Sequence, residues 1–200
     1  MLLGFEVLLV SGAVVLALLL SPWRALPRSG PPWPWLAWWL LLPLFWGADR
    51  YVATPVAQPL SGACLLLLMA GWPLTVLATG LPWAEGLHRL VWLGLVPATL
   101  ALAFGAMLRR WLPNHLFIYI LGRGFFATAA AAGLAGAASA FAHVLPGGLA
   151  FGDLALARLL AAWGDAFLCG MLVAIFVAFK PEWLATYADR LYLPAPPRSV

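Results

Sequence analysis

Charge is the scarcest property of this 200-residue chain. Eleven lysines and arginines and seven aspartates and glutamates amount to 9% of it, against about 25% in a typical soluble domain. That excludes a large hydrated surface and leaves no room for a separate soluble domain. Cysteine is nearly absent as well. Cys64 and Cys169 both sit in apolar runs, where a free thiol acts as a small hydrophobe, and no disulfide framework is indicated. Also missing are a nucleotide-binding loop, a Ser/His/Asp order, a zinc-ligand cluster and a phosphate cradle, so nothing speaks for an enzyme. The first 20 residues lack the basic start and the small-x-small cleavage site of a secretory signal, and they read as an uncleaved first helix.

What the chain has is apolar surface. Hydrophobic residues make up 64% of it, with 12 tryptophans and a mean hydropathy of +0.97. This composition describes an all-α integral membrane protein, one polytopic domain over residues 1–200 surrounded by lipid. The pI near 9.6 invites a nucleic-acid reading, but the basic residues are scattered over connecting segments and form no stripe. Nucleic acid is therefore not expected as a partner.

Apolar runs bounded by charge and proline mark a compact bundle of about six transmembrane helices, at 2–20, 33–47, 59–80, 88–108, 116–143 and 154–179. The second is short, and Trp33, Trp35, Trp38, Trp39 and Trp46 suggest a helix lying largely at interface depth. The third is interrupted at Gly71-Trp72-Pro73, which allows two half-helices. The fifth is crowded with small residues, among them Gly122, Gly124, Gly133 and Gly136, which let backbones approach closely. A tail at 180–200 follows Lys180 and Pro181. Six spans put both termini on one side, with Arg50, Arg109, Arg110, Lys180, Arg190 and Arg198. Arg24, Arg28 and Arg89 fall opposite. By the positive-inside rule both termini are cytoplasmic, in a bacterial inner membrane.

Two ionisable residues lie deep in apolar runs. Asp165 in the sixth span costs about 2.5–3.5 kcal/mol on insertion scales and needs a partner, water or a purpose. Arg123 in the fifth either snorkels to the cytoplasmic face or turns inward; its best inward partner is Asp165. A structural Arg123–Asp165 pair and a transport carboxylate at Asp165 are both open readings. Arg158, one face with Asp165, reaches water at the outer surface. Glu6 reads as solvated at the cytoplasmic interface, and His88, His115 and His143 as solvated helix ends. Cys169-x-Met171 offers soft sulfur, but at i and i+2 the two point about 200° apart, so they chelate poorly. In the tail, a helix would place Trp183, Tyr187 and Leu191 on one face, a contact surface rather than a loose end.

Three stretches carry a family resemblance: Leu112-Pro-Asn-His-Leu-Phe-Ile-Tyr-Ile-Leu-Gly-Arg-Gly-Phe-Phe126, Gly164-Asp-Ala-Phe-Leu-Cys-Gly-Met171, and Lys180-Pro-Glu-Trp-Leu-Ala-Thr-Tyr-Ala-Asp-Arg-Leu-Tyr-Leu193. They resemble a proteobacterial branch of the CbiM-like membrane proteins, permeases of energy-coupling-factor systems. The resemblance implies the substrate-binding integral subunit for a transition metal ion such as nickel or cobalt, carried as substrate with no resident cofactor. It further implies a transmembrane coupling subunit and ATPase subunits as partners, with Ala13-x-x-x-Ala17 as a docking face, while Trp183 and Tyr187 are tail contacts by the spacing of the tail itself. Metal-binding members of that family begin Met-His-Ile-Pro-Asp-Gly, whereas this chain has Leu2, so no metal ligand is carried over. The alternative function is a non-transporting membrane assembly or interaction subunit that keeps the fold without a site.

Overall fold

A computed structural model describes residues 2–25, 31–48, 58–79, 86–142, 151–188 and 192, and among them there is no β-strand. Helix α1 is Leu2–Leu19, α2 is Trp33–Trp46, α3 is Ala63–Ala70 and α4 is Trp72–Thr79. Three helices are long and apolar enough to cross a membrane: α5 at Leu87–Trp111, α6 at Ile118–Phe141 and α7 at Phe151–Phe179. The expected spans at 88–108, 116–143 and 154–179 agree closely with these three, and those at 2–20 and 33–47 coincide with the shorter helices α1 and α2. His143 and residues 189–191 of the tail lie outside the described residues.

The third expected span is not one continuous helix but two short ones, α3 and α4. Trp38 Nε1 donates to the Gly62 carbonyl and its neighbour Trp39 Nε1 to the Ala78 carbonyl, each at 2.8 Å. The start of α3 and the end of α4 therefore lie at the same level. Ser61 Oγ donates to Leu93 O at 2.6 Å, while Thr79 packs on the next residue, Gly94, where an added Cβ would sit 3.0 Å from it. The chain thus descends along α5 through α3 and returns through α4. Gly71 makes the reversal with φ +81°, a backbone conformation that side-chain-bearing residues rarely adopt. Each limb has eight residues, about 12 Å long, too short to span the roughly 30 Å hydrocarbon layer.

Irregular backbone at this depth must find its hydrogen bonds inside the protein, and the α2 tryptophans supply many of them. Trp46 Nε1 donates to Ser61 O at 2.8 Å, beside the Trp38 and Trp39 bonds. Trp35, Trp38 and Trp46 are buried. One face of α2 is thus buried, with indoles that satisfy the broken pair, while Trp33, Leu36, Leu40, Leu41 and Leu44 are exposed. At the other end of α3, Ala185 N donates to Met69 O at 2.9 Å and Thr186 N to Leu68 O at 3.3 Å. The tail forms a short 3-10 turn at Pro181–Trp183 and then a second turn at Ala185–Thr186, where Tyr187 N donates to Leu184 O. Its amides cap α3.

The contacts define two ends of the bundle. Glu6 Oε1 meets His88 Nδ1 at 3.0 Å and Trp92 Nε1 at 3.1 Å, so α1 begins beside the start of α5. Arg89 donates to Trp46 O, placing the end of α2 there too. At the opposite end, Trp35 Nε1 donates to Trp183 O, and Tyr119 OH bonds Thr186 Oγ1 at 2.8 Å. Residue 6 and residue 183 thus lie at opposite ends of the described bundle. The α3–α4 pair begins and ends at the end that holds residue 6.

Two π-helical segments interrupt the long helices, Leu90–Leu95 in α5 and Ile118–Phe126 in α6. Such bulges release backbone groups from the regular ladder, and Pro97 removes a further donor. The Ser61 hydroxyl takes the Leu93 carbonyl beside them.

Candidate functional site

Asp165 sits on the inward face of α7 with 6% of its surface exposed. Its Oδ2 accepts from Ser61 N at 2.8 Å and its Oδ1 from Gly62 N at 3.1 Å. Both amides precede α3, whose first N–H groups have no partner within the helix. The carboxylate therefore compensates the positive end of a half-helix in the bundle interior. Ser61 Oγ completes the cap by accepting from Ala63 N at 3.2 Å. Gly62 has φ +63°, and a Cβ there would lie 3.0 Å from Leu42 Cδ2. The positive φ favours glycine, and a Cβ would also press on the Leu42 side chain.

Arg123 lies elsewhere. It is buried in the π-helical segment of α6, 6% exposed, with its guanidinium 5.4 Å from the centre of the Tyr119 ring. Its Nε and Nη1 have no hydrogen-bond partner, and it presses on Gly105, where a Cβ would stand 2.9 Å from Nε. The structure does not bring Arg123 to Asp165. The guanidinium turns inward as one reading had it, but the aspartate's partners are backbone amides. Charge-pairing arguments from sequence do not see such partners.

Above Asp165, toward the His88 end, lies a cavity of about 190 Å³ whose polar lining includes Gln58, Ser61, Arg89, Ser139, Arg158 and Asp165. Arg158 does not simply reach out to water. Its Nη1 donates to Gly136 O at 2.9 Å and its Nε is buried without a partner. His88 and Trp92 form another part of the wall and engage Glu6, which is 4% exposed and not the solvated interfacial residue expected. Arg89 and Arg158 escaped notice as site residues because each falls near a helix end, where an arginine is unremarkable. The signal that was available is Pro59-Leu-Ser-Gly62 ahead of an apolar run, a serine and glycine placed as helix-start residues.

The remaining candidates pack within the chain. Ala17 is wholly buried and Ala13 partly so, in the α1 face that joins the core. Tyr187 stacks on Tyr192 at 5.2 Å and meets Tyr119 at 5.0 Å. Trp183 is half-buried against Phe176. Gly124 and Gly136 let α6 approach Val173 and Arg158 of α7. Cys64 and Cys169 are free, buried thiols that share a small void with Thr128 and Asp165. Among the described residues no three His, Cys, Asp or Glu side chains gather as a metal site would require.

The chain is thus a helical membrane-embedded protein with an interrupted helix pair and a polar interior cavity; compared with protein families, curated proteins and solved structures, it matches none.

Proposed function

We propose that the chain is a polytopic solute-binding membrane protein, the integral substrate-binding subunit of a transporter, with the cavity above Asp165 as its site. One observation carries this reading: a half-helix begins inside the bundle beside a polar cavity. Broken helices at membrane depth are tolerated where they line such a cavity, and transporters use their exposed ends to hold solutes. Intramembrane ionisable residues point the same way.

The family resemblance directs this reading toward a transition metal ion and toward coupling and ATPase subunits, and that part rests on the resemblance alone. Docking through Ala13, Ala17, Trp183 and Tyr187 was expected under either reading. Those residues are engaged within the chain to differing degrees, which weakens that expectation.

The fold also suggests an orientation. If α1, α2, α5, α6 and α7 each cross and α3–α4 returns, there are five crossings. The connecting segments at the Lys180 end then carry Arg24, Arg28, Arg109, Arg110, Lys180, Arg190 and Arg198, against Arg50 and Arg89 at the other. This asymmetry is steeper than the one six spans give, and places the C-terminus in the cytoplasm and the N-terminus outside.

The test is extraction of the purified protein followed by mass spectrometry and metal analysis of what denaturation releases. A stoichiometric small molecule or ion is expected. A protein that carries nothing, and whose thermal stability no added solute or metal alters, leaves the non-transporting reading.

A further inference from the structure

We infer that α3 is a strut coupling the tail at the Lys180 end to the polar cavity above Asp165, so that a displacement of the tail reaches the cavity wall. The inference goes beyond solute binding and holds whatever the cavity takes. All eight residues of α3 are buried, so neighbours support it on every side. Each of its ends is held by polar groups outside it. At its start, Ser61 N and Gly62 N donate to the Asp165 carboxylate, and both Ser61 and Asp165 line the cavity. At its end, the last carbonyls lack partners within the helix. There Leu68 O accepts from Thr186 Oγ1 at 3.0 Å and Met69 O from Ala185 N at 2.9 Å. Because the Thr186 hydroxyl proton goes to Leu68 O, the phenol is the donor in the 2.8 Å bond between Tyr119 and Thr186. One hydroxyl thus ties the tail to α6 and α3 at once.

Glycines in the left-handed region bound the strut on both sides, Gly62 at φ +63° and Gly71 at φ +81°. Rigid elements pivot on such terminal residues, which absorb the change in backbone dihedrals. A Cβ at Gly71 would meet nothing within 4 Å, so the turn into α4 has room to give. A shift of α3 therefore need not carry α4 with it. The tail and Asp165 also belong to one continuous stretch of chain. From Asp165 to Phe179, α7 runs roughly 21 Å, and α3 returns over about 12 Å. Residues 180–184 fold back to close the gap, anchored where Trp35 Nε1 donates to Trp183 O at 2.8 Å and where Leu184 is buried. Asp165, α7, the tail and α3 thus form a closed ring with hydrogen bonds at both junctions. A change at the tail junction is taken up at the Asp165 junction, where the cavity lies.

The test is amide hydrogen exchange of the purified full chain in detergent, read by mass spectrometry. Thr186→Val removes the bridging hydroxyl and keeps the shape of the side chain. It is expected to speed exchange at residues 61–63 several-fold, up to about tenfold, the weight of one buried hydrogen bond. Residues 8–14 of α1 should exchange as in the unaltered protein. Coupling between two sites is reciprocal, so Asp165→Asn should in turn speed exchange at Ala185 and Thr186. Where Thr186→Val does not fold, Tyr119→Phe takes its place. It removes the phenol but leaves Thr186 on Leu68 O, and its effect at residues 61–63 should be smaller. Faster exchange confined to residues 68–70 and 185–187, with 61–63 unchanged, overturns the strut. An equal rise in α1 overturns it as well, since it reports a general loss of stability rather than a change passed along α3. So does an Asp165→Asn effect that stops at residues 61–63.

Discussion

At Asp165 a single carboxylate holds two backbone amides that no other group is positioned to take. Asp165→Asn keeps the shape but loses the charge and presents an NH2 to one of those donors. It is expected to destabilise the protein by about 1.5–3 kcal/mol, as for hydrogen bonds to charged groups, read as a fall in unfolding temperature in detergent. Arg123→Gln should cost far less, since the guanidinium has buried nitrogens without partners to lose. The two substitutions should be additive to within about 0.5 kcal/mol because the residues share no contact. Recovery of stability in the double variant would mean that the two charges pair after all. Gly62→Ala is a sharper test of the same corner. With φ +63° and Leu42 in the way, it should cost about 1–2 kcal/mol from backbone strain alone.

Asp165 and Arg123 were both legible in the sequence as charges in apolar runs. Their partners were not, because depth arithmetic compares side chains with side chains. The partner of Asp165 is main chain, and that of Arg123 is the face of Tyr119.

Among the elements, α2 and the tail owe their structure to the broken pair. The tryptophans of α2 were plain in the sequence, but an indole N–H serves a bilayer interface and a buried carbonyl equally well. Only the position of Gly62 and Ala78 decides between them. Trp38→Phe keeps most of the apolar bulk and leaves the Gly62 carbonyl with only the long bond from Leu66 N at 3.5 Å, a loss of about 0.5–1.5 kcal/mol. Trp33→Phe, at an exposed position, should be neutral. Equal effects at the two sites would contradict the buried role of α2. The tail was read as a contact surface, with Trp183, Tyr187 and Leu191 on one face were it helical. Its amides at Ala185 and Thr186 bond the α3 carbonyls instead, a tertiary demand that local periodicity does not register. Deleting residues from Trp183 onward should therefore lower the unfolding temperature markedly, and an unchanged value would show that α3 needs no cap from the tail.

For the molecule as a whole, helix boundaries were largely legible because long apolar runs and their flanking charges fix them. The count of crossings was not. Residues 59–80 carry enough apolar length to cross once, and Gly71-Trp72-Pro73 marks a break without saying whether the chain continues or turns back. What separates the two is the pairing of Gly62 and Ala78 with adjacent tryptophans and of Ser61 and Thr79 with adjacent residues of α5. Basic-residue counts favour the same end of the long helices in either case, so they left the N-terminus undetermined. The most direct measurement is therefore to tag both ends of the full chain and probe each in sealed, oriented membrane vesicles with an impermeant reagent or protease. A returning α3–α4 pair puts the C-terminal tag in the cytoplasm, together with a reporter after Arg110, and the N-terminal tag on the opposite face. Both tags on the same face would mean that residues 59–80 cross the membrane, and the interior break around Asp165 would fall with them.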